Sequence, residues 1–150
     1  MNPVLKKVMS TANRLAVFLY RRSKGRIGGS AKGQPLLLLT APGRKTGQPR
    51  TVSVTYFEHN GSYVVAGSAG GMKTDPQWIK NLSATPSAHI QIGAAEMDVK
   101  VRIAQGEERD ALWRDVVTAQ APFFAGYQAK TGRTIPIAFL DPAPNADPAT

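Results

Sequence analysis

The dipeptide Asn60-Gly61 narrows what this chain can become more than any other feature. Both central residues of a tight type I′ turn take positive φ, which asparagine and glycine tolerate, and the twist of that turn matches two antiparallel strands. The flanks agree. Residues 50–58 alternate, with Val52, Val54 and Tyr56 on one face and Thr51, Ser53 and Thr55 on the other, and Tyr63 to Ser68 returns as the second strand. A second hairpin is expected around Gly93, from Ile90–Ile92 and Met97–Ile103, with Met97, Val99, Val101 and Ile103 inward and Asp98, Lys100 and Arg102 toward water. Leu36 to Leu39 is a continuous apolar run suited to a strand buried on both faces, and Ile135 to Leu140 reads as the last strand.

Helical stretches separate these strands. Residues 4–22 place Leu5, Val8, Ala12, Leu15 and Leu19 on one face, the stripe expected to dock on the domain or lie on a membrane. Asp75 is the expected N-cap and Pro76 the first residue of a helix reaching about Ala84. Residues 107–119 carry a stripe of Leu112, Val116 and Ala119, and a short helix is expected over 122–130. About six mostly antiparallel strands with short helices between them suit a small barrel. A parallel sheet is disfavoured because the strand–helix–strand alternation is missing. The expected organisation is a basic amphipathic helix over 1–24, a Gly-rich linker over 25–34, a barrel domain over 35–142 and a Pro/Ala tail over 143–150.

Charge is distributed unevenly. The net charge is +9, yet residues 1–50 hold eleven Lys or Arg and no acid, the first acid being Glu58. The basic half should attract an anion such as a phosphorylated ligand or a membrane surface. Nucleic acid is disfavoured, since no RNA-recognition signature appears and the aromatics are not interleaved with the basic run. With no cysteine there is no disulfide, thiolate metal site or cysteine nucleophile. His59 and His89 lack metal-ligand spacing with another histidine or a carboxylate, so both read as structural and no metal is expected. No leader peptide or membrane span is expected either, because Leu15 to Tyr20 is short and bracketed by Arg14, Arg21 and Arg22.

Three segments can carry chemistry. Ala41 to Arg50 packs Arg44, Lys45 and Arg50 between and beside Gly43 and Gly47, a concave cationic loop able to hold phosphate or carboxylate, or else a solvated hairpin. Ala66-Gly67-Ser68-Ala69-Gly70-Gly71, running toward Trp78 and Asn81, offers small residues that let a flat ring approach backbone, or else a plain connection. Pro122 to Tyr127 brings two phenylalanines that suit a core, and a tyrosine whose hydroxyl needs a partner.

Together these segments resemble the deazaflavin-dependent nitroreductase family over roughly residues 15–142. The resemblance rests on Leu36 to Thr40 with Gly43-Arg44-Lys45-Thr46-Gly47-Gln48-Pro49-Arg50, then Ser68 to Gly71, then Pro76, Trp78, Asn81 and Leu82, and finally Arg133-Thr134-Ile135-Pro136-Ile137. It implies a split β-barrel of the FMN-binding type, mainly β with short helices, and a reductase using coenzyme F420. By matching position, Arg44, Lys45, Thr46, Gly47 and Arg50 would hold the cofactor's phosphate and oligoglutamate tail. Val52, Val54, Ala66, Ser68, Ala69 and Gly70 would bracket its ring, with Trp78 and Asn81 nearby. Ala121, Phe124 and Tyr127 would line the acceptor side, and Tyr127 or Ser68 would supply the proton. Ala121 and Phe124 stand where the family's nitroreductase has tyrosines, so a quinone or activated enone is the expected acceptor rather than a nitroaromatic. The alternatives are an FMN-dependent reductase on the same barrel, and a non-enzymatic carrier or basic membrane-surface module. The expected location is cytoplasmic with a peripheral membrane contact through residues 4–22.

Overall fold

A computed structural model describes residues 3–143. In chain order the strands are β1 (Ser30–Ala31), β2 (Gln34–Pro42), β3 (Pro49–Thr55), β4 (Phe57–His59), β5 (Ser62–Ala66), β6 (Ser87–Ile92), β7 (Ala95–Ile103) and β8 (Ile137–Pro142). Every pairing among them is antiparallel and runs β3–β2–β6–β7–β8–β5–β4, with β1 also on β2. The two ends of that path, β3 and β4, are separated in sequence by Tyr56 alone. The sheet therefore curls until its ends meet, which gives the barrel expected from the hairpins. Asn60 (φ 51°) and Gly61 (φ 81°) adopt the left-handed pair expected at the β4–β5 turn. Among the described residues eight strands stand where about six were expected, because β1 and β4 are too short to show a period.

Alternation along the strands sorts the apolar side chains into three layers. Leu37, Leu39, Val54, Val65, Ile90, Val99 and Leu140 fill the barrel interior, joined by Ile79 and Leu82 of α2 (Gln77–Ser83). Val64, Ala66, Ile137 and Phe139 point outward from β5 and β8 against α3 (Gly106–Leu112), the turns that follow it, and α5 (Phe124–Thr131). Leu38 points outward from β2 and meets Val17 and Tyr20 of α1 (Pro3–Ser23). The run of four leucines is thus continuous because the strand is covered on both faces, and each such side chain contributes about 1.5–3 kcal/mol.

Helix α1 docks through a face other than the expected stripe. Val17 and Tyr20 are buried, and Asn13 Nδ2 donates to the Thr51 carbonyl at 2.9 Å. Val8 and Leu15, assigned to the docking stripe, are instead 58% and 57% exposed, as is Phe18 at 58%. The side chain of Leu5 lies outside the described residues. The polar hook of Asn13 and the tyrosine hydroxyl outweigh the more hydrophobic side of the helix. Tyr20 Oη lies 3.0 Å from the Leu36 carbonyl and 3.2 Å from that of Gln91, and accepts from the Gly93 N–H at 2.9 Å.

Two smaller expectations also shift. Asp75 does not cap α2; its carboxylate pairs with Arg133 at 2.7 Å, and the helix begins at Gln77. After α3 the chain forms a π turn, Trp113–Val117, before α4 (Thr118–Gln120). The wider turn rotates the following residues, so Ala119 is exposed while Val117 and Ala121 join Leu112 and Val116 in the core.

Candidate functional site

The β2–β3 loop is closed by its own backbone. The Gly43 N–H donates to the Gln48 carbonyl and the Gly47 N–H to the Gly43 carbonyl, both at 2.8 Å, with Gly47 at φ 74°. A side chain at 43 would be tight, since a Cβ there would sit 3.2 Å from Thr46 Oγ1 and 3.3 Å from the Gln48 carbonyl oxygen. The loop is fastened to α2 by Arg44. Its backbone N–H (3.2 Å) and Nη1 (2.8 Å) both donate to Asn81 Oδ1, and Nη2 donates to Gln77 Oε1 at 2.8 Å. Asn81 is buried, so it is the fixed partner of the two. Arg44, Lys45 and Arg50 are exposed, and among the described residues none of them pairs with a carboxylate. Three cations on one rigid loop without counter-charge suit an extended anionic ligand.

The second segment lies along the other side of α2. Ala66 ends β5, and Gly67 packs so closely on Ile79 that a Cβ would meet its side chain at 3.0 Å. Ala69 sits at φ 49° in the short turn Ala69–Gly71, a left-handed conformation that an alanine holds only when its surroundings enforce it. Gly71 (φ 84°) abuts the Tyr127 carbonyl oxygen, 3.0 Å from where a Cβ would be.

Arg133 enforces this loop. Its Nη2 donates to the Ser68 carbonyl (2.8 Å), Nε to the Met72 carbonyl (3.0 Å) and Nη1 to Asp75 Oδ1 (2.7 Å). Thr131 Oγ1 adds a bond to the same Met72 oxygen at 2.6 Å. Behind it, Gln128 Nε2 donates to the Arg133 carbonyl, and the buried Arg109 donates twice to the Ile135 carbonyl at 3.0 and 2.8 Å. Gln77 and Arg133 were not assigned roles from sequence, although Arg133 lay in a quoted motif; its partners are about sixty residues away.

On the α5 side, Ala121 and Phe124 are packed among Phe57, Leu112 and Val116, with 0% and 4% exposure. Tyr127 and Phe123 remain half-exposed, and Lys32 Nζ donates to Tyr127 Oη at 2.6 Å. Val52 and Trp78 pack on the barrel interior, and Val54 belongs to it. The cationic loop, α2, the Ser68 to Gly71 segment and α5 are thus linked in one contiguous series of contacts.

Other polar groups lie elsewhere. His89 pairs with Asp98 (2.9 Å) and Glu96 (3.1 Å) across β6–β7, partners that pairing register rather than sequence spacing supplies. Burial alone would lower its pKa, but the hydrogen bonds the ring makes to the Asp98 and Glu96 carboxylates outweigh it and raise the value above the usual 6.5. Among the described residues no group of three His, Asp or Glu is arranged to hold a metal, and no helix is long and apolar enough to cross a membrane. Two open recesses, of about 160 and 330 Å³, lie beside His59 and are lined by Glu108 and Asp115 or by Glu58. Carboxylates there disfavour an anionic ligand.

Comparison with known proteins agrees with this arrangement. Residues 12–142 match the family model described as F420H(2)-dependent quinone reductase. The Mycobacterium tuberculosis F420H(2)-dependent quinone reductase Rv1261c is 38% identical over 130 residues, covering 85% of this chain and 87% of that protein. A solved F420-H2 dependent reductase, FDR-A, superposes with a TM-score of 0.64 at 35% identity, over 71% of this chain and 94% of its own. A structure described as a domain-swapped dimer gives 0.66 at 29% identity over 93% and 100%. The fold is the split β-barrel of these reductases.

Proposed function

The chain belongs to the F420H(2)-dependent quinone reductase family, an oxidoreductase family whose cofactor is coenzyme F420, and from that membership we propose that it delivers hydride from the reduced deazaflavin to a quinone. The observation that carries the reading is the β2–β3 loop: three cations without carboxylate partners, held rigid by Arg44 on Asn81 and Gln77. That donor set fits a cofactor bearing a phosphate and a polyanionic tail better than the single phosphate of FMN.

When bound, the deazaflavin supplies the hydride; the protein orients it and shapes the acceptor site. Arg44, Lys45 and Arg50, with Thr46 and Gly47, would hold the anionic tail. Val52, Ser68, Ala69 and Gly70 would flank the ring, backed by the buried Val54 and Ala66, with Trp78 and Asn81 on the α2 side. Tyr127 faces the acceptor and gives its hydroxyl proton to the reduced oxygen, with Ser68 as the second candidate donor. Ala121 and Phe124 are buried in the core, so of the three positions Tyr127 alone is partly exposed, and it alone brings a hydroxyl. A nitro group, whose two oxygens gain charge, is served poorly by one donor, so quinones and activated enones are the better acceptors.

The expected location is cytoplasmic with a peripheral membrane contact. Val8, Leu15 and Phe18 form the face of α1 opposite its docked side, with Lys7 and Arg14 exposed on the same helix, a combination suited to an anionic lipid surface.

The test is fluorescence titration with F420 and with FMN, followed by oxidation of F420H2 by menadione. F420 is expected to bind more tightly, and more weakly as salt rises. Lys45→Ala and Arg50→Ala should each lose about 1.5–3 kcal/mol of F420 affinity without unfolding, as one charge-assisted hydrogen bond predicts. Tighter FMN binding, or two variants that bind F420 normally, would refute the reading.

A further inference from the structure

Two hairpins of this molecule use the same turn, and only one has the sequence that turn prefers. At β4–β5 the central pair is Asn60-Gly61, at φ 51° and 81°. At β1–β2, where Ala31 pairs with Gln34, it is Lys32-Gly33, at φ 50° and 78°. Asparagine accepts the left-handed region through local hydrogen bonding of its short side chain; lysine has no such compensation. Lysine holds this conformation at a cost, so the contacts that keep it there matter.

The Lys32 side chain reaches α5. Lys32 Nζ donates to Tyr127 Oη at 2.6 Å and lies 5.1 Å from the ring centroids of both Phe123 and Tyr127. Gln34 Nε2 fastens the same hairpin to the Gln120 carbonyl at 2.9 Å, just ahead of α5. Among the described residues Lys32 pairs with no carboxylate, so its charge is not neutralised. An ammonium group can only donate. The tyrosine oxygen therefore accepts, and its own proton is free to point elsewhere.

We propose that Lys32 is a positioning residue of the acceptor site: it turns the Tyr127 hydroxyl into a donor aimed at the acceptor and supports the negative charge that develops there. The inference rests on the reading of Tyr127 as the acceptor-side hydroxyl. In quinone reduction the hydride's hydrogen bonds to one carbonyl oxygen, the two C=O π bonds rearrange into the aromatic ring, and the electron pair ends on the opposite oxygen, giving a hydroquinone monoanion. Tyr127 transfers its hydroxyl proton to that oxygen and recovers one from water. A cation bonded to the phenolic oxygen stabilises the tyrosinate left between these two steps, and aligns the donor before them. The β1–β2 hairpin, which lies in the segment between α1 and the barrel, is thereby part of the acceptor site.

The discriminating variant is Lys32→Asn, which relieves the turn while removing the ammonium. At saturating F420H2 with menadione, kcat should fall roughly tenfold, the rate equivalent of about 1.4 kcal/mol of lost transition-state stabilisation. F420 affinity should be unchanged and the thermal midpoint equal or higher. Lys32→Arg should retain most of kcat. In a Tyr127→Phe background, Lys32→Asn should cause no further loss. Full kcat in Lys32→Asn, or an undiminished effect in the Tyr127→Phe background, would overturn the proposal. If Tyr127→Phe alone binds F420 and keeps full kcat, the acceptor-side reading itself falls, and the inference with it.

Discussion

Arg133 gives the most direct test of how this barrel shapes the proposed cofactor site. Its guanidinium is 15% exposed and reaches the Ser68 carbonyl, the Met72 carbonyl and the Asp75 carboxylate, so one side chain fixes both ends of the loop that holds Ala69 at φ 49°. Arg133→Met keeps the length and apolar stem and removes all three bonds. A hydrogen bond to a charged group is worth about 1.5–3 kcal/mol, but the three share one donor group and Asp75 is partly solvated, so they do not add. Freed from the clamp, Ala69 also leaves the left-handed region, recovering about 1 kcal/mol. The net expected loss is about 3 kcal/mol, which for a domain of this size lowers the thermal midpoint by roughly 6–12 °C. Below that transition the loop should sample several shapes. If its binding-competent shape falls to about a tenth of the population, apparent F420 affinity weakens tenfold. Differential scanning fluorimetry and F420 titration read the two effects separately. Arg133→Lys, which keeps the charge but not the planar fork, should recover only part of each. An Arg133→Met protein with wild-type midpoint and wild-type F420 affinity would refute the claim that this side chain shapes the loop.

Two further outcomes are expected. Tyr20→Phe leaves the Gly93 N–H without its partner in a buried site, at a cost of about 2 kcal/mol, and so should lower the midpoint by about 4–8 °C and speed proteolysis in the 25–34 segment; an unchanged digestion pattern would show that α1 is held by Val17 and Asn13 instead. His89 has a folded pKa raised above 6.5, so the folded state binds more protons near neutrality; its contribution is fully present below pH 6.5 and is lost as pH rises through the folded value, and His89→Gln should flatten that part of the stability profile, with a small amplitude because the pair is solvated.

Much of the barrel was legible because strands and turns write local signals. The alternation of Met97, Val99, Val101 and Ile103 against Asp98, Lys100 and Arg102 is reproduced as inward and outward faces, and Asn60-Gly61 occupies its turn. What misled was local preference overruled from a distance. Asp75 has the chemistry of an N-cap, but a guanidinium fifty-eight residues away in sequence is the stronger partner for its carboxylate. The apolar stripe of α1 has the chemistry of a docking face, but Asn13 and Tyr20 reach hydrogen-bond partners on β3, β2 and the β6–β7 turn, and the opposite side of the helix is left outward.

The cationic loop was legible as a candidate for the same reason as the turns. Two glycines and three bases within eight residues state the shape and charge that an anion cradle or a solvated hairpin would share, and the fold adds the fixing of Arg44 to α2, which favours the cradle. The rest of the site is built from contacts of long sequence separation. Lys32 lies ninety-five residues from the hydroxyl it bonds, and no window of sequence shows that pairing. Its one local trace is chemical: lysine stands before Gly33 where a type I′ turn is best served by asparagine, as Asn60 serves it in the other hairpin. A residue that opposes its own backbone preference, beside one that obeys it in the same turn, is a sequence-visible sign that something beyond the turn selects it. Ala69 also takes a left-handed φ in the loop that abuts α5, but so does Lys24 before Gly25, beside the β6–β7 turn, so the sign gains meaning only from the contact the side chain makes. For Lys32 that contact is the Tyr127 hydroxyl, and the two together point to a part of the proposed site that no motif describes.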